Sequence, residues 1–271
     1  MTRLSHAKIV LLRHGQCEGG NILRGKTDVN LSELGAATML NRIKQIDFVP
    51  HFPKVSLISS PLQRCQHFTH GLFTELNTAN TAVSEMNDEA HQSINTPLPA
   101  VQLMPELAEI DFGDWDGVSF DSLYEQFGDK INQYWDNPWQ HTPPNAEPMS
   151  EFETRVASGF NKVCQQLRQV ANSPELKGNS PELKGNSPEL KANSPELHVN
   201  RSELAKNTPE PLAIIVTHGG VIRTIIALVL GLEQCQGIYN TLSIDYAATV
   251  SISVFWADES SEPKFQLHWS A

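Results

Sequence analysis

The stretch KIVLLRHGQCEGGN, residues Lys8–Asn21, begins with an apolar run and stops abruptly at Arg-His-Gly. A second stretch, LAIIVTHGG, residues Leu212–Gly220, repeats this pattern far along the chain. Short runs rich in Ile, Val and Leu that end at glycine are typical of buried strands in a parallel sheet. Each stretch therefore predicts a central strand whose carboxyl end delivers a histidine.

Short β-branched runs alternate with helical stretches along most of the chain, which favours an α/β fold. We expect a three-layer αβα sandwich with one mostly parallel central sheet. The predicted strands are Ile9–Leu12, Val55–Ser59, Ala213–Thr217, Ala248–Trp256 and Lys264–Ser270. The predicted helices are Ser32–Ile46, Pro61–Leu76, Phe120–Tyr134, Ser150–Val170 and Gly220–Leu230.

Composition limits the possible partners and location. The 271 residues include 20 Lys and Arg against 31 Asp and Glu, and the net charge of −11 argues against non-specific binding to nucleic acid or anionic membranes. No apolar run approaches the length of a membrane span or of a signal-peptide core. We expect a soluble, cytoplasmic protein, and the sequence leaves open whether it forms a homodimer.

The four cysteines are widely spaced, at Cys17, Cys65, Cys164 and Cys235. They form no CxxC pair, so they indicate neither a zinc site nor a disulfide framework. A reducing compartment fits this pattern.

Residues 172–210 form a tandem heptad in which Asn recurs every seven positions, from NSPELKG onward. Each of the first four units carries a proline and only one leucine, which disfavours a continuous coiled coil. We predict a low-complexity surface insert that interrupts a single domain of residues 1–271. An ordered stack or a partner-binding segment is the alternative.

Basic side chains follow three of the predicted strands. The first strand delivers Arg13 and His14, the second leads through SSPLQRC to Arg64, and the third delivers His218 before two glycines. In open parallel sheets, ligands bind beyond the carboxyl ends of the strands. Arginine forks, helix N-termini and glycines suit phosphate oxygens, so the sequence predicts a phosphate pocket.

Four motifs in this order, LLRHG, SSPLxR, LAEIDFGDWDG and VTHGG, resemble the histidine phosphatase superfamily, also called phosphoglycerate mutase-like. The resemblance implies that His14 is the nucleophile that forms a phosphohistidine. It also implies that Arg13, Arg64 and His218 clamp the phosphate, with His218 counted among the catalytic residues. The implied substrate is a small phosphate monoester, and no metal or cofactor is expected.

The same resemblance implies a proton donor in the segment ELAEIDFG. Glu109 takes that role, giving a proton to the leaving oxygen and later activating water. Glu106 and Asp111 are its rivals in this segment. A solvated surface carboxylate is the alternative reading of any one of the three.

The first motif departs from the usual pattern of the superfamily. Gln16 and Cys17 stand where Glu and then Ser or Thr are common, and Asn21 comes one residue later than usual. Asn21 is the candidate fourth phosphate ligand. GKTD, residues Gly25–Asp28, is expected to supply turn and cap residues before the first long helix.

The segments EIDFGDWDG, FDSLYEQF and YWDNP resemble the alpha-ribazole-5'-phosphate phosphatases of cobalamin lower-ligand assembly. Trp115, Tyr134, Trp135 and Trp139 are candidates to stack on an aromatic base, or else to pack in the core. Three alternatives stay open at this point. They are a broad-specificity phosphatase, a cofactor-dependent phosphoglycerate mutase and a non-catalytic phospho-ligand-binding module.

Overall fold

The computed structural model describes residues 5–48, 51, 54–85, 98–173, 209–258 and 261–268. Its strands are β1 Ser5–Arg13, β2 Val55–Ser59, β3 Gln102–Leu103, β4 Leu212–Thr217, β5 Thr249–Trp256 and β6 Lys264–His268. They form one sheet in the order β3-β2-β4-β1-β5-β6. The first four strands in this order run parallel to one another, whereas β5 runs antiparallel to both β1 and β6. The predicted mostly parallel sheet is confirmed.

Helices cover both faces of the sheet. They are α1 Glu33–Ile43, α2 Gln63–Glu85, α3 Phe120–Phe127, α4 Asp129–Asp136, α5 Met149–Asn172, α6 Gly219–Val229 and α7 Gln236–Asn240. Val10 and Leu12 of β1 pack with α1 and α2 in one apolar cluster, and Ile9 and Leu11 pack with α5 and α6 in another. Because side chains alternate along a strand, β1 is buried on both faces, as its sequence predicts.

The structure extends the helix predicted over Pro61–Leu76 to Glu85, divides another predicted helix and adds short elements. The single helix expected over Phe120–Tyr134 is two helices, because Gly128 has a φ of 43° and ends α3 before α4 begins. The strand β3 and the helix α7 were not predicted, since two and five residues are too few to show a period. Gly113–Trp115 of the EIDFGDWDG motif forms a 3-10 turn.

Strand register brings the predicted basic residues to one edge of the sheet. Arg13 lies opposite Thr217, and Ser59 lies opposite Val216, so β1, β2 and β4 end together. The His14 amide then donates to the Thr217 carbonyl at 2.9 Å. The residues that follow these three strands therefore share one site.

The heptad repeat lies outside the described residues between positions 174 and 208. On its two sides, α5 ends at Asn172 and the His51 ring donates to the Glu210 carbonyl at 2.8 Å. Strand β4, which follows the repeat, pairs with β1 and β2, which precede it. None of the described helices is long and apolar enough to cross a membrane.

Candidate active site

His14 lies at the end of β1 and is 5% exposed. Its Nδ1 lies 2.8 Å from the Gly15 carbonyl, and a carbonyl only accepts, so Nδ1 carries the proton and Nε2 carries the lone pair. Burial, helped by the positive charge of Arg64, lowers the pKa of His14 to about 3. The imidazole is therefore neutral near pH 7 and has a nucleophilic nitrogen.

Arg64 and His218 lie together beside His14. The His14 and His218 ring centroids are 5.2 Å apart, and Arg64 Nε donates to His218 Nδ1 at 3.3 Å. The other His218 nitrogen then donates to Ser60 Oγ at 2.7 Å. Burial, followed by the charge of Arg64, lowers the pKa of His218 well below its ordinary value. His218 is thus a second neutral imidazole, in the opposite tautomer.

The Arg64 guanidinium is fully buried and held by the backbone of the GKTD segment. Its two terminal nitrogens donate to the carbonyls of Gly25 at 2.7 Å and Thr27 at 2.9 Å. In the same segment, Asp28 accepts from the Gln63 amide at 2.7 Å, so it caps α2. Ser32 instead caps α1, by accepting from the Gly35 amide.

An open cavity of about 220 Å³ lies at this edge of the sheet. Its lining includes His14 and three arginines, Arg13, Arg24 and Arg223. Arg13 packs over the Tyr246 ring, with 4.3 Å from its guanidinium carbon to the ring centroid. Among the described residues, the buried Nε atoms of Arg13 and Arg24 have no hydrogen-bond partner. Two buried donors beside a cavity favour an anionic guest.

Glu109 is the one of the three candidate carboxylates that lines the cavity. Its Oε2 accepts from the Gly220 amide in the first turn of α6 at 3.1 Å. Glu106 instead pairs with Lys162, and Asp111 pairs with Lys26 at 2.8 Å. Of the three carboxylates, Glu109 is therefore the one that could exchange a proton with a molecule in the cavity.

Aromatic rings make up much of the rest of the cavity lining. Tyr134 and Trp135 of the predicted stacking set line the cavity, and the set of lining rings also includes Phe112, Phe120, Phe152 and Tyr239. Trp115 is buried and packs edge-on against Tyr134 at 5.9 Å. Trp139 packs against Tyr239 and donates to Glu153 at 2.9 Å. Two of the four candidates thus face the cavity, and two pack behind its wall.

Three positions of the first motif lie away from the cavity lining. Asn21 is exposed, and its carbonyl accepts from the Phe120 amide at 3.2 Å. Gln16 is exposed, and its carbonyl accepts from the Ser32 amide at 2.9 Å. The Cys17 thiol is buried, 3.5 Å from His14 Nδ1, and burial raises its pKa. The structure does not bring Asn21 next to His14.

A sequence model of the histidine phosphatase superfamily, branch 1, matches residues 9–171. The chain belongs to the histidine phosphatase superfamily. The match covers β1 through α5 and stops beside the repeat, so His218 and α6 lie beyond it.

Two curated relatives illustrate the range of similar proteins. A 2,3-bisphosphoglycerate-dependent phosphoglycerate mutase of Bartonella quintana is 28% identical over 150 residues, or 55% of this chain and 64% of the mutase. The adenosylcobalamin/alpha-ribazole phosphatase of Escherichia coli K12 is 27% identical over 153 residues, or 55% of this chain and 63% of that phosphatase. The similarity spans slightly less than two thirds of either relative.

The fold is shared with solved structures over almost the whole chain. A mycobacterial glucosyl-3-phosphoglycerate phosphatase superposes with a TM-score of 0.63 at 20% identity, covering 98% of this chain and 99% of that chain. At this identity the likeness shows the fold alone.

Sequence reasoning about this superfamily member missed Arg24, Arg223 and Tyr246, which line the cavity. Arg24 lies in the loop after His14, and Arg223 lies on α6, five residues after His218. Their closeness in sequence to the two histidine motifs is what could have pointed to them. Nothing around Tyr246 pointed to a site. Where the structure describes the chain, no three His, Cys, Asp or Glu side chains cluster as ligands for a metal ion.

Proposed function

We propose that the chain is a phosphomonoesterase that works through a phosphohistidine on His14. The observation that carries this proposal is a neutral, buried imidazole at a cavity that also holds unpartnered arginine donors and the Glu109 carboxylate. A neutral imidazole nitrogen is the nucleophile that phosphoryl transfer to histidine needs. Arginine charge stabilises the negative charge of the phosphoryl group in the transition state.

In the first step, the lone pair of His14 Nε2 attacks phosphorus and the bond from phosphorus to the ester oxygen breaks. Protonated Glu109 gives its proton to that leaving oxygen, so the alcohol departs neutral. We propose that Arg13 binds a phosphoryl oxygen, and its buried, unpartnered Nε supports this role. Arg64 adds positive charge from directly beside His14, since it already lowers the pKa of that ring.

In the second step, water attacks the phosphohistidine and the phosphorus–nitrogen bond breaks. The Glu109 carboxylate accepts a proton from that water, which regenerates the protonated acid. His14 recovers its lone pair, and inorganic phosphate leaves. Arg64 and His218 are fully buried beside His14 and are not among the residues that line the cavity. We further propose that both side chains shift to contact the phosphate during the cycle, and that Asn21 takes no direct part.

The proposed substrate is alpha-ribazole 5'-phosphate. Tyr134 and Trp135 form an aromatic wall on the same cavity as His14, which suits a flat aromatic base on the leaving group. The similarity to the Escherichia coli adenosylcobalamin/alpha-ribazole phosphatase supports the same substrate. We also propose that residues 1–271 form one domain, interrupted by the repeat, in a cytoplasmic protein.

The test is phosphate release in EDTA from alpha-ribazole 5'-phosphate, 3-phosphoglycerate and simple sugar phosphates. The proposal predicts selective turnover of the first, with kcat/KM of about 10⁴ M⁻¹s⁻¹ or more. Trp135→Ala should raise KM for alpha-ribazole phosphate and leave that for a small alkyl phosphate unchanged, whereas exposed Tyr124→Ala should change neither. Equal, weak turnover of every ester would contradict the substrate assignment.

Two alternatives are distinguished by the same assay. A mutase would require a bisphosphate primer and would transfer phosphate to a product hydroxyl rather than release it. A non-catalytic module would bind inorganic phosphate with no release from any ester.

A further inference from the structure

Arg155 of α5 uses every donor of its guanidinium group. Its Nε and one terminal nitrogen bind the two carboxylate oxygens of Glu147 at 2.6 and 2.8 Å. The terminal nitrogens also donate to three carbonyls of one short backbone stretch, those of Glu106 at 3.0 Å, Ala108 at 2.8 Å and Glu109 at 3.1 Å. The Arg155 side chain is partly buried and does not line the cavity. It therefore binds the backbone segment Glu106–Asp111 rather than the substrate.

Glu147, the ion-pair partner of Arg155, binds the other end of the same segment. Its Oε2 accepts from the Asp111 amide at 3.3 Å, and its own amide donates to the Asp111 carbonyl at 2.9 Å. On α5, Gly159 packs so tightly that an added Cβ would lie 2.7 Å from the Glu106 Cβ. The segment from Glu106 to Asp111 is therefore fixed to α5 at several points.

The Glu109 side chain is held by a second helix, α6. Its Oε2 accepts from the Gly220 amide of α6, and a Cβ on Gly220 would lie 2.3 Å from its Oε1. The main chain of Glu109 is thus held by α5, and its carboxylate is held by α6 and by the Ile110 amide, which donates to Oε1 at 3.1 Å. Only a small shift of the backbone is needed to take the carboxylate out of reach of a leaving oxygen.

We propose that Arg155, neutralised by Glu147, is the positioning residue for the proton donor Glu109. The proposal rests on the phosphatase function above and adds to it the residue pair that aims the acid. A bidentate ion pair fits this role because it fixes orientation as well as distance. Lysine, a single point charge, cannot replace all five contacts.

Arg155→Lys tests this through the leaving group. With an alkyl phosphate, the leaving oxygen needs a proton, so kcat/KM should fall by roughly 10²-fold. With p-nitrophenyl phosphate, the leaving phenolate needs none, so kcat/KM should change by less than about threefold. The kcat of Arg155→Lys on p-nitrophenyl phosphate should nevertheless fall, because water attack on the phosphohistidine also uses Glu109. A burst of p-nitrophenol should precede this slower steady state. A purely structural role would lower kcat/KM equally for both esters and would overturn the proposal.

Two further variants keep the test decisive if Arg155→Lys does not fold. Gly220→Ala pushes the Glu109 carboxylate away from α6. Glu147→Gln removes the negative charge of the Arg155–Glu147 ion pair. Both variants should lose kcat/KM on the alkyl phosphate and keep it on p-nitrophenyl phosphate. Arg168→Lys is the matched control on the same helix, since Arg168 donates to the Asp258 carbonyl far from the segment. It should leave both esters unaffected.

Failure of the proposed function is a separate outcome. Wild-type protein that turns over neither ester would contradict the phosphatase assignment itself. Wild-type turnover together with full activity of Arg155→Lys on the alkyl ester would contradict the positioning role alone.

Discussion

A single carbonyl decides which nitrogen of His14 can react. Because the Gly15 carbonyl takes the Nδ1 proton, the lone pair resides on Nε2. Burial and the adjacent arginine charge then keep the ring unprotonated. This arrangement lowers the free energy of unfolding at acid pH, because His14 binds a proton more readily in the unfolded chain than in the folded one.

Stability should therefore fall with acidification, and His14 should account for a defined part of the fall. Its pKa is about 3 in the folded chain and 6.5 without the fold, so below pH 6.5 only the unfolded state binds the proton. Between about pH 8 and about pH 5, the wild type should lose about 2 kcal/mol more unfolding free energy than His14→Gln. Urea titrations across this range measure the difference. Parallel pH curves for the two proteins would contradict a depressed pKa.

At the level of the elements, glycine placement governs how the cavity wall is built. Gly128 turns the chain between α3 and α4, and α4 carries Tyr134 and Trp135 into the cavity. A continuous helix over Phe120–Tyr134 would aim these rings elsewhere. The break is a property of backbone conformation at one residue, which apolar periodicity does not register.

Gly128→Ala should destabilise the protein by at least about 1 kcal/mol, because a φ of 43° strains any residue with a Cβ. Gly71→Ala is the matched control, since Gly71 lies inside α2 with open space around its missing Cβ. That change should stabilise the helix by about 0.5–1 kcal/mol. Opposite shifts in urea midpoint are expected, and a neutral or stabilising Gly128→Ala would contradict the argument.

The strands and the residues that follow them could be predicted from sequence for a physical reason. Buried parallel strands are continuous apolar runs, and parallel strands end at one edge, so His14 and His218 could be expected at the same edge of the sheet. Side chains that reach the site from helices or loops carry no such constraint. Arg223 and Tyr246 were missed for this reason, and the Arg155–Glu147 pair is visible only once α5 packs against the segment of Glu109.

At the scale of the whole molecule, the sheet joins the parts of the chain on both sides of the repeat. Arg168, near the end of α5, donates to the carbonyl of Asp258, which follows β5. Because β5 runs antiparallel to β1, that contact lies at the edge where β1 and β4 begin. The two ends that flank the repeat therefore lie at the same edge of the sheet.

Replacing residues 174–208 with a linker of about ten Gly and Ser residues should preserve the fold and the turnover. Such a linker spans up to about 30 Å when extended, and every contact described at the site comes from residues outside the repeat. Circular dichroism and kcat/KM on an alkyl phosphate compare the shortened and full chains. A more than tenfold loss of kcat/KM in a folded variant would show that the repeat takes part in the site.

The central claim is that His14 carries the phosphoryl group, and mass spectrometry of protein quenched during turnover tests it most directly. The quench must be alkaline, because phosphohistidine is labile in acid. The peptide that contains His14 is then sequenced by fragmentation. We predict one added phosphoryl group on His14 in the wild type, and more of it in Arg155→Lys. His14→Ala should carry none and should lose more than about 10³-fold in rate. Phosphate found on another residue, or full turnover by His14→Ala, would contradict the account.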